Sequence, residues 1–167
     1  CAAAAPTAPQ PAQSVRADTS GGYAQLVQRA NGLYDQGAAE LQSEHWDQAA
    51  AYFLAASKVY AAAWAKQSTD PGVGTDFATS LFYSGDTDGA IAQVEKVLAK
   101  SPDFQTAWFN KGNYLSQRAR QAEQAGQQKD ADRDFAAARV AYQKAVDLDP
   151  ASASGQSAKE QLAQLPA

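Results

Sequence analysis

The chain has 167 residues and a formal net charge of −4, and more than half of its hydrophobic residues are Ala: there are 39 Ala against 25 Leu, Ile, Val and Phe together. This composition favours helices that pack through small side chains and argues against an all-β fold or a parallel sheet. No run approaches the 18 apolar residues of a membrane-spanning helix. With 18 acidic and 14 basic residues, the chain also lacks the basic surface typical of nucleic-acid-binding proteins.

Residues 1–19 form an Ala- and Pro-rich flank that we predict to be a flexible linker, because it cannot bury enough apolar surface to offset the entropy of ordering. It starts at Cys1, the single cysteine of a chain without Met. In this respect it resembles a mature bacterial lipoprotein, whose first residue is an acylated Cys. The resemblance implies a lipid-modified Cys1 and a location on the periplasmic side of the envelope, with the outer membrane favoured over the inner. A reactive thiol and an arbitrary chain end are the alternatives.

Three later segments share one pattern of small and bulky residues, spaced as on one face of a helix. They are EHWDQAAAYFLAAS at 44–57, GDTDGAIAQVEKVL at 85–98 and RDFAAARVAYQKAV at 133–146. The small residues are Ala49, Ala90 and Ala138, and a larger residue follows each of them four positions later: Phe53, Val94 and Tyr142. The small residue indicates where another helix approaches closely.

A partner helix with its own small residue precedes each segment: NGLYDQGAAEL contains Gly37, TDFATSLFYSG contains Ala78 and TAWFNKGNYLS contains Gly112. This order of residues resembles the tetratricopeptide repeat, and SPDFQTAWFNKGNYL is its most characteristic stretch. The first repeat is the weakest, because Glu40 stands at a bulky position and no Pro closes it. The resemblance implies an all-α domain over residues 20–167, with antiparallel helical hairpins stacked as a short right-handed α-solenoid.

The spacing of the repeats predicts their boundaries. We expect an N-terminal helix at 20–30, repeat one at about 30–70, repeat two at 71–104, repeat three at 105–150 and a capping helix at 155–165. The small residues lie 41 and then 48 positions apart, which exceeds the 34-residue repeat by 7 and 14. Seven residues are about two helical turns. We therefore expect the third hairpin to be longer by seven residues on each helix, with its turn near Gly126 and its tip packed by four alanines: Ala119, Ala122, Ala125 and Ala131.

Catalytic and metal-binding chemistry is poorly supported. His45 is the only His and lies in a predicted turn, and no phosphate-binding loop, dinucleotide fingerprint or nucleophile elbow is present. Residues 84–95 match several positions of an EF-hand calcium loop. The same residues form the turn of repeat two, and we favour the structural interpretation, in which Asp86 caps a helix and Asp88 lies in its first turn. We predict no catalytic residue, metal or cofactor, and no enzyme activity.

The resemblance implies a concave groove, lined by the first helix of each repeat, that receives a protein or peptide segment. The expected groove residues are Asn31, Tyr34 and Leu41 from repeat one; Thr75, Thr79, Phe82 and Tyr83 from repeat two; and Phe109, Asn113 and Gln117 from repeat three. Aromatic faces and amides suit peptide backbone and apolar side chains. The alternative is that some of the aromatic residues, Phe82 above all, pack between repeats.

The sequence therefore predicts a non-catalytic scaffold or adaptor of the bacterial envelope that binds protein segments and contacts the membrane only through a lipid anchor. The family's clamp for a C-terminal carboxylate requires Lys, Asn and Arg at certain groove positions. Here those positions hold other residues: Tyr34, Ala38, Asp76, Thr106 and Asn110. The alternative function is an accessory or regulatory subunit of an envelope enzyme or of a secretion or assembly complex, which acts through self-association.

Overall fold

The computed structural model describes residues 14–166, and all regular structure in this range is α-helical. The helices are α1 Tyr23–Gln42, α2 Trp46–Lys66, α3 Pro71–Tyr83, α4 Thr87–Lys100, α5 Gln105–Gln124, α6 Gln128–Leu148 and α7 Ala153–Gln164. Each helix packs against the next, and α7 also contacts α5. The predicted all-α architecture of three hairpins and a capping helix is confirmed. Over residues 14–166, no helix combines the length and apolar character that a membrane crossing requires.

The N-terminal flank enters the structure at residue 14, so Cys1 and the first two thirds of the predicted linker lie outside the described residues. The described end of the linker is held against α1. Arg29 donates hydrogen bonds to the backbone carbonyls of Asp18 (2.7 Å) and Ser20 (2.9 Å) and forms a salt bridge with the Asp18 carboxylate. Ala17 packs on the core of the first hairpin.

The predicted separate helix at 20–30 is wrong, because α1 continues without a break to Gln42. Leu26, Ala30, Leu33 and Gly37 follow one another at helical spacing, and all but the half-buried Leu33 are fully covered. This stripe packs on α2 along its whole length, and the packing outweighs the weak helix propensity of the Asn-Gly pair within it.

Helix lengths confirm the predicted elongation of the third hairpin. Helix α5 has 20 residues against 13 in α3, and α6 has 21 against 14 in α4, so each gains seven. The turn lies at Gly126, whose φ of +73° is in the left-handed region that favours Gly. Ala119, Ala122 and Ala131 are buried at the tip as predicted. Ala125 is instead exposed, because it ends α5 in the turn itself.

The turn of repeat two has the structural role that the sequence analysis favoured. Helix α4 begins at Thr87, and the side chain of Asp86 accepts a hydrogen bond from the amide of Gly89 at 2.9 Å. A calcium loop at 84–95 would need these residues outside a helix. Within residues 14–166, no three His, Cys, Asp or Glu side chains are grouped closely enough to hold a metal ion.

Small residues set the distance between paired helices. Ala49, Ala90 and Ala138 are fully buried, and Gly37 and Gly112 lie directly against the rings of Phe53 and Tyr142. The core is therefore a series of modest contacts between neighbouring helices, as is typical of repeat proteins.

Candidate functional site

The first helices of the three hairpins, α1, α3 and α5, carry the predicted groove residues. Of these, Tyr83 is the most accessible aromatic residue, with 43% of its surface exposed. Seven further predicted groove residues are half-buried: Tyr34, Leu41, Thr79, Phe82, Phe109, Asn113 and Gln117. They therefore present part of each side chain to solvent and use the rest in packing.

Five aromatic rings form a continuous row across the three hairpins. The ring of Tyr34 meets Phe53 edge-on at 5.2 Å, and Phe53 stacks on Tyr83 at 4.9 Å. Tyr83 meets Phe82 edge-on at 5.4 Å, and Phe82 stacks on Tyr114 at 4.8 Å. Phe82 thus packs between repeats two and three, the alternative considered for it. Such ring pairs stabilise by about 0.5–1.5 kcal/mol each beyond their buried area, so the row fixes the relative positions of α1, α3 and α5.

A hydrogen-bond network joins α3 to α5 beneath this row. The hydroxyl of Thr79 donates to the backbone carbonyl of Thr75 at 3.0 Å, so it accepts from the hydroxyl of Tyr114 at 2.9 Å and from the side-chain amide of Asn110 at 3.2 Å. The predicted groove role of Thr75 is wrong. Its side chain is only 3% exposed and donates to the carbonyl of Pro71, because Thr75 faces the interior of the hairpin stack.

The α5 side of the groove is fixed by a buried tyrosine of α6. The hydroxyl of Tyr142 donates to the side-chain oxygen of Asn113 at 2.8 Å and accepts from Ser116 at 3.3 Å. Phe109 lies tilted over the Tyr142 ring, with 6.1 Å between the centroids. In the first hairpin, Tyr60 similarly donates to the side-chain oxygen of the exposed Asn31 at 2.7 Å.

Asp35 on α1 and Asp76 on α3 bring negative charge close to Tyr34 of the groove. Desolvation raises the pKa of Tyr34 to about 12, with further contributions from Tyr83 and from the charges of Asp76 and Asp35. The pKa of Tyr60 is raised in the same way, first by desolvation and then by Asp76, Tyr34 and Asp35. Desolvation, assisted by Asp70, also raises the pKa of Asp76 itself. The sequence analysis named Asp76 only as a departure from the carboxylate clamp and missed the charge that it brings to the site.

A second polar site, a cavity of about 380 Å³, lies between α4 and the third hairpin. Arg118 binds the buried Asp134 with two hydrogen bonds, at 2.6 and 3.0 Å, and Asp88 with one at 2.7 Å. Arg133 bridges Asp134 and Asp130. Because the arginines and Asp134 are used within this network, its role is to join helices.

Comparison with known proteins agrees with this architecture. Residues 75–153 match the family model described as Tetratricopeptide repeat, whereas no curated protein matches the chain. The fold is similar to the crystal structure of the Sgt2 TPR domain from Aspergillus fumigatus, with a TM-score of 0.54 and 17% identity over 81% of this chain and 78% of that one. It is also similar to the first TPR of Spaghetti (RPAP3) bound to the HSP90 peptide SRMEEVD, with a TM-score of 0.50 and 15% identity over 82% and 92% of the two chains. Residues 75–153 therefore match the tetratricopeptide repeat family, and residues 14–166 together have the all-α fold of a tetratricopeptide repeat domain.

Proposed function

We propose that the protein is a non-catalytic adaptor that binds a protein segment, extended or helical, in the groove formed by α1, α3 and α5. The carrying observation is the accessible ring of Tyr83 on α3 together with side-chain amides on α5 that have unused hydrogen-bonding capacity. Asn110 uses only its NH₂ group, and Asn113 only its carbonyl oxygen, in the hydrogen bonds formed among residues 14–166. A carbonyl acceptor and an amide donor are thus left at neighbouring positions, which suits a peptide backbone.

The RPAP3 structure supports this proposal as an example of a related fold that holds a peptide. The acidic tail bound there is not carried over to this chain. Asp76 stands at a position where the clamp for a C-terminal carboxylate needs a basic or amide side chain, and a second carboxylate would be repelled.

The test is a selection of ten-residue peptides from a random phage-displayed library on the immobilised protein. Peptides that bind in the groove should lose at least about tenfold in affinity for a Tyr83→Ala/Phe109→Ala variant, because accessible aromatic residues dominate such interfaces. Val140→Ala is the matched control, since Val140 is 67% exposed on α6 outside the groove. Melting temperatures establish that the variants fold. Peptides that bind the double variant as tightly as the parent would refute the proposal.

Self-association is the second candidate, favoured by the exposed apolar side chains of Val140 on α6 and Leu54 on α2, the latter 47% exposed. Light scattering coupled to size-exclusion chromatography tests it. A dimer that Leu54→Asp or Val140→Asp dissociates would support self-association. A protein that stays monomeric at a concentration on the order of 100 µM would exclude it.

We also propose the envelope location, on the resemblance of Cys1 and its Ala/Pro flank to lipoproteins. Mass spectrometry of the protein from its native source is the test. A diacyl or triacyl mass on Cys1 is expected, and an unmodified Cys1 or a longer N-terminus would refute the anchor.

A further inference from the structure

We propose that the segment bound in the groove is cationic, with Lys or Arg side chains seated between α1 and α3 and apolar side chains along the aromatic row. This inference rests on the proposed function and specifies the chemistry of the partner. The seat, named here the acidic half of the groove, consists of Tyr34, Asp35, Asp76, Thr79 and Tyr83.

Equivalent positions in stacked repeats place the two carboxylates in one row. Asp35 lies two residues before Gly37, the small residue of α1, and Asp76 lies two residues before Ala78, the small residue of α3. The equivalent position on α5, two residues before Gly112, is Asn110. Asn110 donates a hydrogen bond to Thr79 of α3. Thr79 lies three positions after Asp76 and therefore on the same face of that helix. The row of Asp35, Asp76 and Asn110 thus lies on the groove side.

Neither carboxylate has a partner within the described part of the chain. Asp35 is exposed, and Asp76 keeps an exposed part although burial of its carboxyl group raises its pKa. No hydrogen bond or salt bridge among residues 14–166 involves either side-chain carboxylate. Other carboxylates of the described chain do form ion pairs, as Asp18 does with Arg29 and Glu95 with Lys111. The two groove aspartates therefore form a negative region without a counter-charge.

The basic residues of the groove helices lie elsewhere. Arg29 is bound to the N-terminal flank, and Lys111 is bound to Glu95 beside the ring of Trp108. Arg118 belongs to the network with Asp134. The charge of Arg120 partly offsets the rise in the pKa of Tyr142 that burial causes, and Tyr142 lies at the α5 side of the groove. The groove is thus acidic at α1 and α3 and becomes basic only at the far end of α5.

A cation in the acidic half would gain two kinds of interaction. The carboxylates attract it directly, and the faces of Tyr34 and Tyr83 offer cation–π contacts at the same place. Burial is the main reason that Tyr34 resists ionisation, and the charges of Asp76 and Asp35 add to this effect, so the region disfavours additional negative charge. A Lys or Arg side chain also has a long apolar stem that packs on aromatic rings.

The experiment uses the peptides selected in the library described above. Tyr83-dependent peptides should contain at least twice the Lys and Arg of the unselected library. Each peptide is then synthesised with its Lys and Arg replaced by Gln, and its affinity is measured by fluorescence anisotropy. Replacement should weaken binding by about fivefold, the effect of one or two exposed ion pairs, and raising NaCl from about 50 to 300 mM should shrink the difference.

The Asp35→Asn/Asp76→Asn variant should lose the preference for the Lys/Arg form of each peptide. The matched control is Glu123→Gln/Glu160→Gln, which changes the net charge equally at exposed positions that are not part of the groove. The control should retain the preference. Tyr83-dependent peptides without basic enrichment, or a preference that survives in the aspartate variant, would overturn this inference and leave the proposed function standing. A library that yields no Tyr83-dependent peptide would refute the proposed function itself.

Discussion

Replacing Gly112 with Ala tests whether close packing between α5 and α6 holds the groove. A Cβ at this position would lie 2.5 Å from Cδ1 and Cε1 of Tyr142 and 2.9 Å from Cγ, about 1 Å inside the normal contact distance between carbon atoms. The ring cannot simply turn away. It is buried, and its hydroxyl is fixed by hydrogen bonds with Asn113 and Ser116.

The magnitude follows from two opposing effects. Overpacking of a filled core costs about 1–3 kcal/mol, and the anchored ring favours the upper end of this range. Ala in place of Gly recovers about 1 kcal/mol of helix propensity. The net loss in the free energy of unfolding is about 2 kcal/mol, which lowers the melting temperature by roughly 4–8 °C for a chain of this size. Because Tyr142 contacts Phe109 and bonds Asn113, peptide affinity should fall as well.

Two further glycines of α1 provide graded controls in thermal melts and urea titrations. An added Cβ at the exposed Gly32 meets no atom within 4 Å, whereas at Gly37 it lies 3.0–3.1 Å from the ring of Phe53. Gly32→Ala should therefore stabilise the protein by up to about 1 kcal/mol, and Gly37→Ala should fall between the other two variants. A Gly112→Ala protein as stable as Gly32→Ala would refute the packing argument.

Two other substitutions probe the polar networks. Thr79→Val should lower the free energy of unfolding by about 1–2 kcal/mol in urea titrations, because the buried Tyr114 hydroxyl loses its acceptor; Thr79→Ser, which keeps the hydroxyl, should be close to the parent. Burial alone would raise the pKa of Asp134, but hydrogen bonds from Arg118 and Arg133 outweigh it and hold the pKa below its ordinary value of 3.8. The stabilisation by this carboxylate is complete above its pKa in the unfolded state and is lost as the pH falls through its lower pKa in the folded state. The parent protein should therefore lose stability below about pH 4 more steeply than the Asp134→Asn variant. Equal slopes would contradict this assignment.

The fold was predictable because its determinants are local and repeated. The spacing of Ala90 and Ala138 gave the elongation of the third hairpin, and Gly126 gave its turn. The beginning of α1 was not predictable in the same way. Asn31 and Gly32 have weak helix propensity, and only the contact of the helix with α2 decides that it continues through them.

The positions of the proposed groove residues could be predicted from the sequence, but the contacts between them could not. Tyr34, Phe82 and Tyr83 come from two helices, and the rings that connect them are Phe53 on α2 and Tyr114 on α5. Which side chain of a second helix reaches the groove depends on helix rotation, and periodicity alone does not determine that. The charge of Asp35 and Asp76 was a missed signal, since both stand two residues before a small residue and alignment of the repeats would have paired them.

The short second hairpin explains how the longer ones are held. Relative to the small residues, hairpin one gains its extra residues at its open end, where α1 begins, and hairpin three gains them at its turn. Each extension would project about 10 Å beyond its neighbour unless something fixed it. Tyr23, at the start of α1, donates to the side chain of Asp70, the N-cap of α3, at 2.9 Å. Arg118, in the extension of α5, binds Asp88 in the first turn of α4. Each extension is therefore tied to an opposite end of the short hairpin, so the two polar contacts, together with the aromatic row, keep the three groove helices in register.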